Sequence, residues 1–209
     1  MTYLVSILIP TLTERREKFN RLIESIQKQI DAGNYKKKIE ILSICDDRSV
    51  KLSTKRNMLQ KMSSGKYFLH LDDDDELDDH FCQSVIEHIE LDLPVLYENN
   101  HEPDIIGFNQ LARVSGKRFI VIPHIKSNFN LTPAPKKNGY PAYYRFPWQY
   151  NLWHEKYKKI YRTDVDTNAR EDQNWLKKII LEYPSHMSYI DRVLHYYNFD
   201  DPNLSTCQN

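Results

Sequence analysis

Residues 72–75 are four consecutive aspartates, and two further acidic pairs, Asp46-Asp47 and Glu171-Asp172, lie elsewhere in the chain. Adjacent carboxylates repel one another, and a divalent cation removes that repulsion. Hard ions such as Mg²⁺ and Mn²⁺ take oxygen ligands, typically one or two carboxylates plus substrate phosphates. In an Asp-x-Asp segment leaving a strand, alternate side chains point the same way. Asp72 and Asp74 therefore converge on one ligand, while Asp73 points elsewhere. The bland alternative is a solvated acidic turn that caps the next helix. An EF-hand loop needs Gly at its sixth position and Glu at its twelfth; counted from Asp72 these are Leu77 and Gln83, which excludes it. A phosphatase with an aspartate nucleophile also places Asp-x-Asp after a strand, usually near the chain start, and stays the weaker alternative.

The elements around these acids decide between the readings. Leu4–Ile9 is a β-branched run stopped by Pro10, which suits a buried strand. From Glu14 to Ile30, Phe19, Leu22, Ile23, Ile26 and Ile30 form an apolar stripe at helical spacing, with Thr13 as N-cap. Ile39–Ile44 is a second strand ending at Asp46-Asp47. A helix with Met58, Leu59 and Met62 inward follows, closed by Ser63-Ser64-Gly65. Tyr67–Leu71 is a third strand running into the aspartates, and Phe81, Val85, Ile86 and Ile89 are the inward face of a third helix. Strand–helix alternation of this kind predicts an α/β fold with a mainly parallel sheet. In such sheets ligands bind beyond the carboxyl ends of the strands. Pro10-Thr11, Asp46-Asp47 and Asp72–Asp75 all fall there, which favours the ligand reading of the acids. In the second half, Asp104–Phe108 and Arg118–Ile122 are expected strands, with a turn at Ser115-Gly116. Ser127–Pro147 is expected as a long loop, Arg170–Glu182 as a helix, and Met187–Phe199 as one or two short strands.

Length fits one domain, 1–209, with a nucleotide-binding half (1–100) and an acceptor-binding half (101–209). Lys+Arg and Asp+Glu both number 29, so bulk charge gives no reason to expect nucleic acid as a partner. No apolar run approaches the roughly 18 residues of a membrane span. Cys45, Cys82 and Cys207 form neither a zinc spacing nor a disulfide framework, so a soluble, cytoplasmic protein is expected.

Val5-Ser-Ile-Leu-Ile-Pro-Thr11, Ile41-Leu-Ser-Ile-Cys-Asp-Asp47, Lys55-Arg-Asn57 and Tyr67-Phe-Leu-His-Leu-Asp-Asp-Asp-Asp75 follow one another along the chain. Trp153…Lys159-Ile-Tyr-Arg162, Arg170-Glu-Asp172 and, more faintly, Tyr196-Tyr197…Ser205 come after them. In order and spacing this set resembles the signatures of the family 2 glycosyltransferases of GT-A fold, over nearly the whole chain. The resemblance implies inverting, metal-assisted transfer of a sugar from a nucleotide-diphosphate sugar. Its donor-binding set here is Pro10, Thr11, Thr13, Asp46, Asp47, Arg56, Asp72 and the neighbouring Asp73. Asp72 would touch the ribose and Asp74 would hold Mn²⁺ or Mg²⁺ against the diphosphate. An aspartate at the base can accept the N3–H of uracil, so a UDP-sugar is favoured, although thymine and guanine offer similar hydrogens. Asp172 is implied as the general base. Trp153 is either a wall for the sugar or acceptor or a buried core residue, His154 and Glu171 are placed with it at the sugar or acceptor, and Trp148, Tyr143 and Tyr144 line the acceptor site. The acceptor expected is a glycan, glycoprotein or lipid-linked sugar.

The departures are informative. Gln149-Tyr-Asn-Leu-Trp153 lacks the Arg of processive members, and Tyr197-Asn198 stands where a Tyr-Arg pattern is expected. A single-transfer enzyme follows, with acceptor binding completed by a further domain or partner chain. Two rivals remain: a nucleotidyltransferase, disfavoured because Thr11–Arg16 contains no Gly, and a degenerate nucleotide-binding module without turnover.

Overall fold

The structure is a computed structural model and describes residues 3–97, 102–162 and 171–199. Strands β1 (Val5–Leu12), β2 (Ile39–Asp46) and β3 (Tyr67–His70) are parallel, with β1 between the other two. Period-two alternation sends their side chains to two different cores. Val5, Ile7, Ile9, Tyr67, Leu69 and Leu71 pack with helices α1 (Arg16–Ala32) and α3 (Phe81–Glu87). Leu8 and Phe68 pack on the opposite face with Leu59, Trp153, Trp175, Leu176 and Ile179.

β1 continues through Pro10, further than expected, because the missing N–H falls where it is not needed. The Leu8 carbonyl accepts from Leu71 N–H on the β3 side; Pro10, two residues on, faces that same side after β3 has ended at His70. Thr13 does not cap α1. It belongs to a 3₁₀ turn, Thr13–Arg15, and its hydroxyl donates to the Asp46 carbonyl at 3.2 Å.

Helix α2 (Leu52–Met62) differs most from expectation. Met58 and Met62 are 47% and 58% exposed, while Ser53, Lys55, Arg56, Leu59 and Gln60 face inward. The first half also holds β4 (Glu76–Leu77) and the short helix α4 (Leu93–Leu96), and the second half adds β5 (Ile105–Val114), β6 (Lys117–Pro123), β7 (Thr132–Lys137), β8 (Tyr140–Arg145), β9 (Leu152–His154), helix α5 (Glu171–Ile180) and β10 (Met187–Phe199). Along the sheet the order is β2-β1-β3-β9-β5-β6-β8-β7, with β10 lying parallel to β5 and also pairing β4.

The segment expected as a loop, Ser127–Pro147, therefore holds a β-hairpin. Its turn is Asn138-Gly139, both at positive φ (50° and 81°), the backbone that a two-residue hairpin turn requires. Its prolines Pro133 and Pro135 sit on β7, an edge strand that tolerates them. β10 is one long strand with register shifts near Val193, not two short ones. Among the described residues, no helix is long and apolar enough to cross a membrane.

Candidate active site

The aspartate run folds into a tight turn directly after β3. Asp75 N–H donates to the Asp72 carbonyl at 3.1 Å, and Asp72 N–H donates to the Asp75 carboxylate at 2.8 Å. Asp72 and Asp74 face a cleft of about 390 Å³, whereas Asp73 is turned back into the protein. Asp73 accepts from the Thr11 hydroxyl at 2.8 Å and from Arg15 Nε at 2.7 Å. Burial raises its carboxyl above the ordinary value despite those partners. Arg15 also reaches Asp74 at 2.8 Å, with Lys18 at 3.8 Å from the same oxygen.

Asp75 lines the cleft from below. Its carboxylate lies 3.1 Å from Nε2 of His195 on β10, and burial pushes it above the usual carboxylate range. Gln110 on β5 contacts the other ring nitrogen of His195 at 2.9 Å, and Tyr150 stacks flat on the ring with centroids 4.5 Å apart.

The opposite wall is the start of α5. Asp172 lines the cleft, and its carboxylate accepts from Gln173 N–H at 2.7 Å. Glu171 points the other way, into the protein, between Arg56 and Arg162 Nε, the latter at 2.6 Å. Arg56 also pairs with Asp72 and donates to Gln149 Oε1 at 2.7 Å; Arg162 donates to the same amide oxygen at 3.2 Å. One buried cluster thus ties the Asp72 turn to the helix that carries Asp172. Arg162 approaches His70 Nε2 at 3.1 Å; burial, together with the charges of Arg162 and Arg56, holds His70 well below its usual value, so the ring is neutral and accepts.

The sequence-predicted residues divide accordingly. Asp72, Asp74, Asp172 and Trp148 are brought together on one cleft. Pro10, Thr11, Thr13, Asp46 and Asp47 share the adjoining ends of β1 and β2, since Thr11 pairs with Cys45 and Leu12 with Asp46. Within that group Asp46 is occupied by Lys55 and by Val50 N–H at 2.7 Å, whereas Asp47 is exposed. Arg56 lies beneath Asp72 rather than on the cleft.

Four of the expected residues lie away from the cleft. Asp73 faces away from the cleft for the reasons above. Trp153 is fully buried, packs edge-on against Trp175 at 5.5 Å and donates from its indole to the Trp148 carbonyl at 3.1 Å, so it offers no wall to a sugar. His154 pairs with Tyr67 at the far end of β3 and lies 3.1 Å from Glu102. Glu171 is buried in the arginine cluster. Tyr143 and Tyr144 do not line the cleft either. Asp75, part of the aspartate run but given no role of its own, does, and sequence reasoning missed His195, Gln110, Tyr150 and Arg145, which line it too. The one readable signal was Arg145-Phe-Pro-Trp148, a cation beside aromatics.

The donor set suits a hard divalent cation. Asp72, Asp74, Asp75 and Asp172 supply only carboxylate oxygens to the cleft, and Asp74 is half-exposed. Among the described residues, no three His, Cys, Asp or Glu side chains already form a metal-binding group. Such a cation would therefore need ligand oxygens from a bound substrate, as Mg²⁺ and Mn²⁺ sites commonly use.

The sequence matches no protein-family model and no curated protein. Among solved structures the chain is similar to S. aureus TarS. With TarS 1–349 in complex with UDP-GlcNAc it shares 16% identity at a TM-score of 0.59, covering 96% of this chain and 59% of that one. With TarS 1–349 in complex with UDP the values are 16% and 0.58, covering 95% and 60%. With the longer TarS structure they are 17% and 0.59, covering 95% of this chain and 37% of that one. The chain thus spans about 60% of the 1–349 structures it matches. At this level of identity the likeness speaks to the fold alone: this chain has the GT-A fold.

Proposed function

We propose that the chain is an inverting glycosyltransferase that moves a sugar from a nucleotide-diphosphate sugar to an acceptor hydroxyl. The observation that carries this reading is the convergence of the Asp72–Asp74 turn and Asp172, far apart in sequence, on one cleft at the carboxyl edge of the sheet. Ligands of open α/β sheets bind at that edge.

The donor nucleotide lies along the ends of β1 and β2, with its diphosphate at the Asp72–Asp74 turn. Asp74, flanked by Asp72, would hold Mn²⁺ or Mg²⁺, which supplies charge neutralisation for the departing diphosphate. Asp172 accepts the proton of the acceptor hydroxyl as its oxygen bonds to the anomeric carbon. The bond from that carbon to the diphosphate oxygen breaks, and the nucleotide diphosphate leaves with the electron pair. The buried Arg56–Glu171–Arg162 cluster keeps Asp72 and Asp172 on their facing walls. TarS has been captured with UDP-GlcNAc and with UDP, which favours a UDP-sugar here. The acceptor class is a glycan, a glycoprotein or a lipid-linked sugar.

The test is calorimetric titration of UDP, GDP and TDP with and without Mn²⁺, on wild type and on Asp74→Ala and Asp172→Asn. Mn²⁺-dependent binding of one nucleotide, lost in Asp74→Ala and kept in Asp172→Asn, is expected. Donor hydrolysis or transfer should fall in Asp172→Asn by about 10²-fold or more, the usual contribution of a general base. A folded protein that binds no nucleotide overturns the reading.

A further inference from the structure

Arg145 ends β8 and lines the same cleft, and its surroundings differ from those of the arginines behind the cleft. Arg15 is held by Asp73 and Asp74, Arg56 by Asp72 and Glu171, and Arg162 by Glu171. Among the described residues, no carboxylate lies within ion-pair distance of Arg145. Its guanidinium instead sits 4.4 Å from the centroid of the Trp148 ring and donates to the Tyr150 hydroxyl at 3.1 Å. Its Nε is buried without a hydrogen-bond partner. A guanidinium is always charged and presents five donors in a planar fork that matches carboxylate or phosphate. Holding it partly desolvated and stacked without an anion is unfavourable, and an incoming anion removes that penalty.

The location says which ligand brings the anion. Beyond the Asp72–Asp74 turn, where the donor diphosphate is placed, the cleft that Arg145 lines includes no residue of β1, β2 or α2, where the nucleoside would lie. It is walled instead by β5, β6 and β10, with Phe119, Val121 and Leu131 giving apolar surface beside the charge. Resting on the transferase reading above, we propose that Arg145, braced by Trp148 and Tyr150, is a subsite for a carboxylate or phosphate group on the acceptor. The acceptor is then an anionic glycan, and neutral sugars are poor substitutes.

Trp148 makes the proposal directly measurable. Of the three tryptophans it alone lines the cleft, whereas Trp153 and Trp175 are fully buried. The full chain is titrated with sn-glycerol 3-phosphate and with galacturonate, followed by tryptophan fluorescence and calorimetry, with glycerol and galactose as the neutral counterparts. At least one anionic probe should bind ten times or more tightly than its neutral counterpart. Arg145→Gln should weaken that binding about tenfold or more, as expected for lost charge-assisted hydrogen bonds. Its UDP affinity should stay within about twofold of wild type. Arg145→Lys, which keeps the charge and loses the fork, should give an intermediate affinity and serves if the Gln variant melts early. Equal binding of neutral and anionic probes, no binding of any probe, or unchanged anion affinity in Arg145→Gln would overturn the proposal. So would a loss of UDP affinity in Arg145→Gln matching the loss for the anionic probes, because the guanidinium would then serve the donor. Failure of wild type to bind any nucleotide counts against the transferase reading alone, and the anion titrations still decide the subsite.

Discussion

Glu171→Gln tests the buried cluster beneath the cleft. Glu171 is the carboxylate between Arg56 and Arg162, and the three side chains are 2%, 3% and 0% exposed. Neutralising it leaves two buried guanidiniums near one another. Gln149 and the partly exposed Asp72 are their main remaining partners. Breaking a buried pair by removing one charge costs about 3–5 kcal/mol. Asp72 offsets little of this, because its carboxylate is more than one-third exposed and so screened by water. For a chain of this length, where ~1 kcal/mol shifts Tm by about 2–4 °C, the melting point should fall by roughly 6–20 °C. Differential scanning calorimetry and urea titration measure it. The double variant Glu171→Gln/Arg162→Met removes one of the stranded cations and should recover much of the loss, a non-additivity typical of residues in contact. A fall of under about 3 °C in the single variant, with the double variant no better, would refute the account. The pair would then contribute no net stability, and some other contact would hold α5 in place.

Three further outcomes follow from the geometry. Gly65→Ala places a methyl 2.5 Å from Ser6 Oγ and 2.6 Å from Ser6 N; the backbone cannot give way cheaply, so urea denaturation should show a loss of about 1–3 kcal/mol. Asp104 is buried, which by itself raises its carboxyl, yet Lys156 and the amides of Ser185 and His186 (2.8 and 3.1 Å) hold it below its ordinary value of 3.8. Its contribution is complete above pH 3.8 and is lost as pH falls through the depressed folded value, so Asp104→Asn should flatten that stretch of the stability–pH curve. Gly139→Ala introduces a side chain at φ 81° with nothing near it to clash; the cost is backbone strain alone, about 1–2 kcal/mol, read as a lower Tm.

The alternating first half was legible because its strands and two of its helices obey the rule that buried means apolar. α2 breaks that rule. Lys55, Arg56 and Gln60 are inward because each is satisfied there: Lys55 by Asp46 and the Thr11 carbonyl at 3.0 Å, Arg56 by the acids around it, Gln60 by the carbonyls of Lys158 and Ile160 at 2.8 and 2.9 Å. Those partners come from distant segments, so periodicity assigned the inward face to Met58 and Met62 instead. The Asn138-Gly139 turn was a local signal within the segment expected as a loop, masked by the prolines around it. For Trp153 a sugar wall and a core position were equally legible, and its complete burial makes it core, while His154 pairs with Tyr67 at the end of β3 away from the aspartates. His195 and Arg145 reach the cleft through the pairings of β10 with β5 and of β8 with β6, which no local pattern encodes.

The distribution of charge around the cleft gives the proposed chemistry a physical logic. Arg56, Arg162 and Arg15 are each tied to acids on its margins or beneath it, and two of them are almost fully buried. These cations fix the acids without projecting into the cleft, whose described lining contains four aspartates and a single arginine. Such a surface repels an anionic donor unless a cation accompanies it, which is the situation in which Asp74 and a divalent ion act together on a diphosphate. The same imbalance would repel an anionic acceptor everywhere except at Arg145. An acceptor anchored there is thus oriented as well as bound, with its hydroxyl left to approach Asp172.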